Sequence, residues 1–264
     1  MRYPGRVIKE GERDRNIVRS LKVRLNEILA PGGDGSLRLD PDEPSYGPKM
    51  KRAVKLFQTR SVDREGRPLK QDGQVGSLTW AALFGDEAVV NRGTTDDPLL
   101  LAAIRVAAQE EAARVREVPV DSNRGPRVEM YQSSAGVAPG NAWCCAFVYF
   151  CMLQASQEVH LANPMVRTGG CLDHWNKAKA RGVRLVNKGE AIANPALISP
   201  GMIFIMSHGG NFGHTGFVER TLGGLLTTIE GNTNAGGSRE GGGVYRLTRK
   251  VAEVNKGFID YARG

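Results

Sequence analysis

Apolar residues recur along the chain at two different periods, and the change from one to the other divides it. From Ile17 the apolar positions Leu21, Leu25 and Ile28 follow at spacings of four and three, which predicts an amphipathic helix ended by Pro31-Gly32-Gly33. YGPKMKRAVKLFQ predicts a second helix with Met50, Val54 and Phe57 on one face, and SLTWAALF a third with Ser77 as its N-cap. The stretch between them, TRSVDREGRPLKQDGQ, is dense in turn residues. These two helices read as an imperfect repeat: Gly47 and Gly76 each precede a short helix, Ala53 and Ala82 each lie six residues later, and Phe57 and Phe84 close the apolar runs. Helices this short cannot bury their faces singly, so a small all-α three-helix domain over residues 13–86 is expected, behind a polar N-terminal tail.

Residues 87–98 are mostly polar around Gly-Thr-Thr-Asp-Asp-Pro and read as a linker to a second domain over 99–264. That domain opens on an alanine-rich helix from Leu99, continues with a short helix from about Gly125, and then reaches PGNAWCCAFVYFCM, a glycine turn followed by an almost wholly apolar run. Another helix is expected over Cys171 to Ala180. Beyond it the period falls to two in GMIFIMS, HTGFVER, LLTTIEGN and GGVYRLTRK, which predicts short strands and an α+β domain with an antiparallel sheet behind a helical layer.

The composition narrows the class without choosing a partner. A chain of 264 residues, 41% hydrophobic and 24% charged, is of ordinary globular make-up. Its formal net charge of +8 suits nucleic acid, an anionic membrane surface or the acidic polymers of a bacterial envelope. No concentrated basic helix or aromatic-basic interleaving supports nucleic acid. The N-terminal MRYPGRVIKEGERDRNIVRS has no apolar h-region, and no apolar run approaches the roughly 20 residues of a membrane span, so neither a cleaved secretory signal nor membrane insertion is expected. All four cysteines fall after residue 143 without metal-ligand spacing, which argues against a disulfide scaffold and a structural zinc site.

The candidate chemistry lies in the second domain. A helix starting near Asn141 or Ala142 puts Cys144 in its first turn, where unpaired N–H groups and the helix dipole favour a thiolate. Cys145 is turned roughly 100° away on the same helix and is not excluded as the nucleophile, whereas Cys151 reads as core. His214 stands where a glycine turn meets a strand, and Glu230 and Asn232, two apart in TIEGN, are expected on one side of the next strand. If the strands pair, one of them reaches the far nitrogen of His214 while the near nitrogen faces Cys144, the order a cysteine amidase or protease needs. Trp143 is expected either to wall a substrate groove or to anchor the helix start. His208 with His214 and Glu230 lacks any zinc-hydrolase spacing, and His160 and His174 read as surface or packing residues, so no metal or cofactor is expected.

Two resemblances sharpen this reading. YGPKMKRAVKLFQ and DGQVGSLTWAALFG resemble the repeated signature of the three-helix bacterial peptidoglycan-binding module, with Met50 standing where threonine is usual. NAWCCAFVYFC, GHTGFV and TIEGNTN resemble the CHAP family of cysteine, histidine-dependent amidohydrolases and peptidases, of papain-like α+β fold. PGMIFI is included, with Met202 where aspartate is frequent. That resemblance implies Cys144 rather than Cys145 as nucleophile, His214 as general base, Glu230 as orienting acid and Asn232 beside it. It also implies hydrolysis of a peptidoglycan amide bond, either within the stem peptide or cross-bridge or between muramic acid and alanine; the small groove expected beside Trp143, open to an extended peptide without sugar contacts, slightly favours the endopeptidase. The rival is a wall-binding structural protein with a degenerate catalytic domain. Without a secretory signal, action in the periplasm or wall requires a holin, a secretion system or another release route, and an immunity or export partner fits such a life.

Overall fold

A computed structural model of the chain describes residues 3–4, 6–29, 38–64, 66–85, 93–222, 224–234 and 241–263. It divides into two compact units, one made of Met1–Asn91 and Gly223–Leu225 and a second made of Arg92–Leu222 and Leu226–Gly264.

The first unit holds helices α1 (Arg15–Leu29), α2 (Pro48–Thr59) and α3 (Ser77–Phe84). Their apolar faces close on one core that includes Leu21, Leu25, Met50, Val54, Phe57, Trp80 and Leu83. Ile28 departs from the expected stripe: it is 36% exposed, and Ile17 and Val18 at the helix start are buried instead. The proposed stop at Pro31-Gly32-Gly33 lies outside the described residues. α3 starts at Ser77 but takes Gly76 as its N-cap, one residue earlier than the cap the sequence suggests. The turn before α3 is fixed by buried Gln58, whose Nε2 donates to the Gln74 carbonyl at 2.8 Å while its Oε1 accepts from the Gly73 N–H at 2.9 Å.

Of the linker read over 87–98, residues 87–92 lie outside the described residues, and residues 93–97 form no regular element. Asp97 caps the next helix, α4 (Pro98–Ala112), by accepting from the N–H groups of Leu99 and Leu100 at 2.9 and 3.1 Å. Helices α5 (Pro126–Ala135), α6 (Cys144–Glu158) and α7 (Cys171–Ala180) follow. Then come β1 (Arg184–Asn187), α8 (Lys188–Ala193), β2 (Ile203–Ser207), β3 (Gly213–Leu222), β4 (Leu225–Thr233), β5 (Gly243–Lys250) and β6 (Gly257–Asp260).

The strands make one six-stranded sheet in the order β1-β6-β2-β3-β4-β5, so this unit is α+β with an antiparallel sheet. β1 and β6 were not predicted: RLVN and GFID are four residues each, too short to display a period. β6, the last strand in the chain, lies between β1 and β2, with Ile259 opposite both Leu185 and Ile203. One face of the sheet packs under α4, α6 and α7 through Ile203, Ile205, Phe217 and Ile229, and the other carries a smaller cluster around Phe204, Val218 and Phe258. From Cys144 to Met152 α6 is buried and apolar on all sides, and only its last turns, with Gln157 and Glu158 exposed, show a polar face. Among the described residues no helix is long and apolar enough to cross a membrane.

The helical layer closes on the sheet at Gly231. A Cβ there would lie 2.7 Å from the side chain of Phe147, in the first turn of α6, and 2.8 Å from the ring of Trp143, its N-cap. Gly231→Ala therefore forces β4 away from α6, and overpacking of this kind costs about 1–3 kcal/mol. The expected outcome is a lowered unfolding midpoint of the C-terminal unit by denaturant or heat. A midpoint equal to that of the parent would show that the two layers have room to spare.

Candidate active site

Cys144 is the first residue of α6, with Trp143 as N-cap. The first-turn N–H groups of a helix have no acceptor within it, and Cys144 stands in that first turn. Trp143 itself is 0% exposed, so the expectation that it walls a groove does not hold. Its Nε1 donates to the carboxylate of buried Glu117 at 2.8 Å and its ring lies 5.6 Å from that of Tyr131. Glu117 also accepts from the N–H of Asn123 at 3.0 Å, so the ring anchors the start of α6 to the loop before α5.

His214 is the second residue of β3 and Glu230 lies within the adjacent β4. The two meet across the strands, His214 Nε2–H donating to Glu230 Oε2 at 2.8 Å. Gly216, two residues along β3 on the same face, makes the space: a Cβ there would stand 2.8 Å from Glu230 Cγ and 2.7 Å from the Ile229 carbonyl. Glu230 is 0% exposed and fully engaged. Oε1 accepts from Thr228 Oγ1 and Arg249 Nε, and Oε2 from Arg249 Nη2, each at 2.5 Å. Burial works against ionisation of this carboxyl, but the hydrogen bonds from Arg249 and His214 outweigh it and hold its pKa at about 2.

The other ring nitrogen of His214, Nδ1, is buried with no hydrogen-bond partner. Cys144 is the neighbour whose ionisation responds to it, and the influence is mutual. Burial pushes the imidazole pKa down, while interaction with Cys144 and Glu230 raises it, with a net value of about 9. The Cys144 thiol is pushed well above its ordinary pKa, first by its hydrogen bond with Cys171 and then by burial, with His214 alone pulling it down. The thiolate that helix position alone suggests is therefore opposed by a second sulfur. Cys144 Sγ lies 3.5 Å from Cys171 Sγ and 3.9 Å from the Gly213 carbonyl.

Cys145 is buried on another side of α6, donating to the Thr168 carbonyl at 3.5 Å, and Cys151 is core. Asn232 is buried beside Glu230 in sequence, but its φ of 58° is left-handed, so the simple alternation expected to align it with Glu230 is interrupted there. His174 packs inside, its Nε2 bonded to the Tyr261 hydroxyl at 2.8 Å with the rings stacked, and burial lowers its pKa to about 4. Among the described residues no group of three or more His, Cys, Asp or Glu is arranged to hold a metal ion.

Two residues of this arrangement were not singled out from the sequence. Arg249 carries a buried guanidinium in β5, where an Arg-Lys pair closing a strand looks like a solvated end. Cys171 was read only as the start of a helix. The signal available was indirect: a buried carboxylate requires a cation or several donors, and the following strand is where one would sit.

Residues 136–232 match the family model of the CHAP domain. No curated protein matches the chain. The C-terminal α+β unit thus carries a CHAP domain after an N-terminal helical region, and the matched span contains Cys144, Cys171, His214, Glu230 and Asn232 but ends before Arg249. Such a domain supports cysteine-dependent hydrolase activity in general.

The two buried histidines set opposite pH dependences. His214, raised to about 9 from 6.5, contributes stability that is present below 6.5 and lost as pH rises through 9. His174 and Glu230, lowered to about 4 and about 2 from 6.5 and 4.5, contribute stability that is present above those ordinary values and lost as pH falls. From these groups the maximum falls near pH 6.5. With four histidines in the chain, ring-proton NMR titration resolves them. The expected result is one imidazole still charged at pH 8 and lost from that state in Glu230→Gln, and another still neutral at pH 5. A His214 that titrates near 6.5 would contradict the coupling to Glu230.

Proposed function

We propose that the C-terminal unit hydrolyses an amide bond of bacterial peptidoglycan with Cys144 as nucleophile, His214 as general base and acid, and Glu230 as the residue that orients His214. The observation that carries this reading is the order of contacts: a thiol at a helix N-terminus, an imidazole with Nδ1 unpartnered, and its Nε2 held by a buried carboxylate. In the first half-reaction Nδ1 takes the thiol proton and the thiolate attacks the amide carbonyl carbon. The imidazolium then protonates the departing amine, leaving a thioester. In the second half-reaction His214 deprotonates water, which attacks the thioester and releases the acid and the thiol. First-turn N–H groups of α6, that of Cys144 among them, are the donors for the oxyanion. Arg249 and Thr228 keep Glu230 ionised and aimed, and Asn232 belongs to the polar surroundings.

The substrate follows from the CHAP match together with the N-terminal helical region, whose signatures resemble a peptidoglycan-binding module. A tether of that kind raises the effective concentration of an enzyme working on an insoluble polymer. Such an enzyme acts in the periplasm or wall after release by a holin, a secretion system or another route. The slight preference for an endopeptidase rested on a groove walled by Trp143, and the buried ring removes that ground, so the amidase reading stands level with it.

Digestion of purified peptidoglycan by the reduced full chain, with the new termini identified by mass spectrometry, tests the proposal. A new amine on a stem or bridge residue with a new peptide carboxylate means endopeptidase. Free alanine amino termini with glycan stripped of peptide mean N-acetylmuramoyl-L-alanine amidase. New reducing sugar ends without amide cleavage, or no products from folded protein, would overturn the hydrolase assignment, the latter in favour of a non-catalytic wall-binding protein. Cys144→Ser is expected to remove turnover while Cys145→Ser retains most of it. Glu230→Gln is expected to lower kcat on the order of 10² to 10⁴-fold. The fragment 13–86, if folded, is expected to co-sediment with insoluble sacculi, and a folded fragment that stays in solution would reduce it to a spacer.

A further inference from the structure

Two helices of the C-terminal unit begin on a cysteine, and the two sulfurs face each other. Cys144 opens α6 and Cys171 opens α7, and their Sγ atoms are 3.5 Å apart, in van der Waals contact. Gly213 permits the approach, since a Cβ at that position would lie 3.0 Å from the Cβ of Cys171. Both thiols are 4% exposed, so no bulk solvent lies between them. A disulfide needs a sulfur separation of about 2.05 Å, and closing about 1.5 Å is within the reach of small rotations about the two Cα–Cβ bonds.

We propose that Cys144 and Cys171 form a reversible disulfide, a modification site through which a peroxide oxidant switches the enzyme off. The inference rests on Cys144 being the nucleophile. In the first step the Cys144 thiolate attacks a peroxide oxygen. With hydrogen peroxide the O–O bond breaks, Cys144 becomes a sulfenic acid, and hydroxide leaves, taking a proton to become water. In the second step the Cys171 sulfur attacks the sulfenic sulfur, the S–S bond forms, and the sulfenic hydroxyl leaves with the Cys171 proton as a second water. Two thiols lose two electrons and two protons in all, and the peroxide is reduced to two waters. A dithiol reverses the change by exchange, restoring both thiols and becoming a disulfide itself.

Cys145 also neighbours Cys171, and contact together with reactivity selects Cys144 among the four cysteines. Cys145 is next to Cys144 in α6 and projects about 100° away around the helix, which keeps adjacent sulfurs from bonding without breaking the first turn. Its own thiol donates to the Thr168 carbonyl. Cys151 lies two turns further along α6 in the core. Of the sulfurs near Cys171, only that of Cys144 has the His214 imidazole to draw off its proton, and the thiolate is the species that reacts with peroxide. Trapping by Cys171 also protects the nucleophile, because a sulfenic acid without a partner thiol proceeds to the sulfinic acid, which dithiols do not reduce.

The test uses the reduced full chain, treated with hydrogen peroxide, denatured with an alkylating agent present, and analysed by intact mass and peptide mapping. The four free thiols are expected to fall to two, with a mass lower by two hydrogens and one cross-linked peptide pair containing Cys144 and Cys171. Peptidoglycan turnover is expected to fall on the order of 10²-fold or more and to return with dithiothreitol. In Cys171→Ser, or Cys171→Ala if the serine variant does not fold, peroxide is expected to give sulfinic acid at Cys144 that dithiothreitol does not reverse. A cross-link made by Cys145, or sulfinic acid at Cys144 forming as fast in the parent as in the variant, would overturn the proposal. Cross-linked protein that still turns over would overturn the switch. A cross-link forming in a chain that never cleaved peptidoglycan would refute the hydrolase reading alone, leaving the thiol pair.

Discussion

Glu230 is a carboxylate with no exposure to solvent, and a charge in that position survives only where donors replace the water it has lost. The replacement is complete: Arg249 binds both oxygens, Thr228 one and His214 the other. Each donor comes from a different place along the sheet, and this constrains the sheet as a whole. β3, β4 and β5 must lie side by side in that order, in a register that brings His214, Glu230 and Arg249 level. A slip of one residue in β4 would turn the carboxylate to the opposite face, leaving a guanidinium and an imidazole without a counter-charge. The polar cluster thus specifies a register that the apolar residues around it would fix less sharply.

The same cluster has to meet a thiol from another layer. Sheet and helix are brought together where the strand carries no side chain, at Gly231, and where α6 cannot slide, at Trp143. Gly216 opens the face of β3 to the Glu230 side chain, and Gly231 lets Phe147 and Trp143 sit against β4. Glu117 then holds the Trp143 indole from the loop side. Reacting groups must be placed within a fraction of an ångström to gain from proximity, and rigid elements locked by packing achieve that better than loops. Here a helix end and two strand positions carry Cys144, His214 and Glu230, the groups of the proposed mechanism.

What could be read from the sequence, and what could not, follows from how far each signal reaches along the chain. Period and punctuation are local, so the helices α1 to α7 and the four longer strands were legible, whereas the six-residue α8 was not, and the cysteine helix starts at Cys144, two or three residues later than the start near Asn141 or Ala142 that the sequence suggests. Burial depends on distant partners. Ile28 fits the stripe of α1 yet is exposed, while Trp143 suits a groove yet is enclosed, and neither fact is written in neighbouring residues. β1 and β6 gain their identity only from pairing with each other and with β2. Arg249 and Cys171 escaped for the same reason: each matters through a contact across elements, at separations of 19 residues from Glu230 and 27 from Cys144.

The contact between Cys144 and Cys171 also bears on how the thiol is kept and released. A helix N-terminus and a neighbouring imidazole draw a proton from sulfur, whereas a second thiol and a dry surrounding hold it there. In the resting arrangement the second pair prevails, and the hydrogen bond with Cys171 is the larger of its two contributions. Whatever parts the two sulfurs removes that contribution first and leaves His214 acting on Cys144. As it stands the sulfur rests as a thiol, held by the hydrogen bond with Cys171 and by burial against the pull of His214.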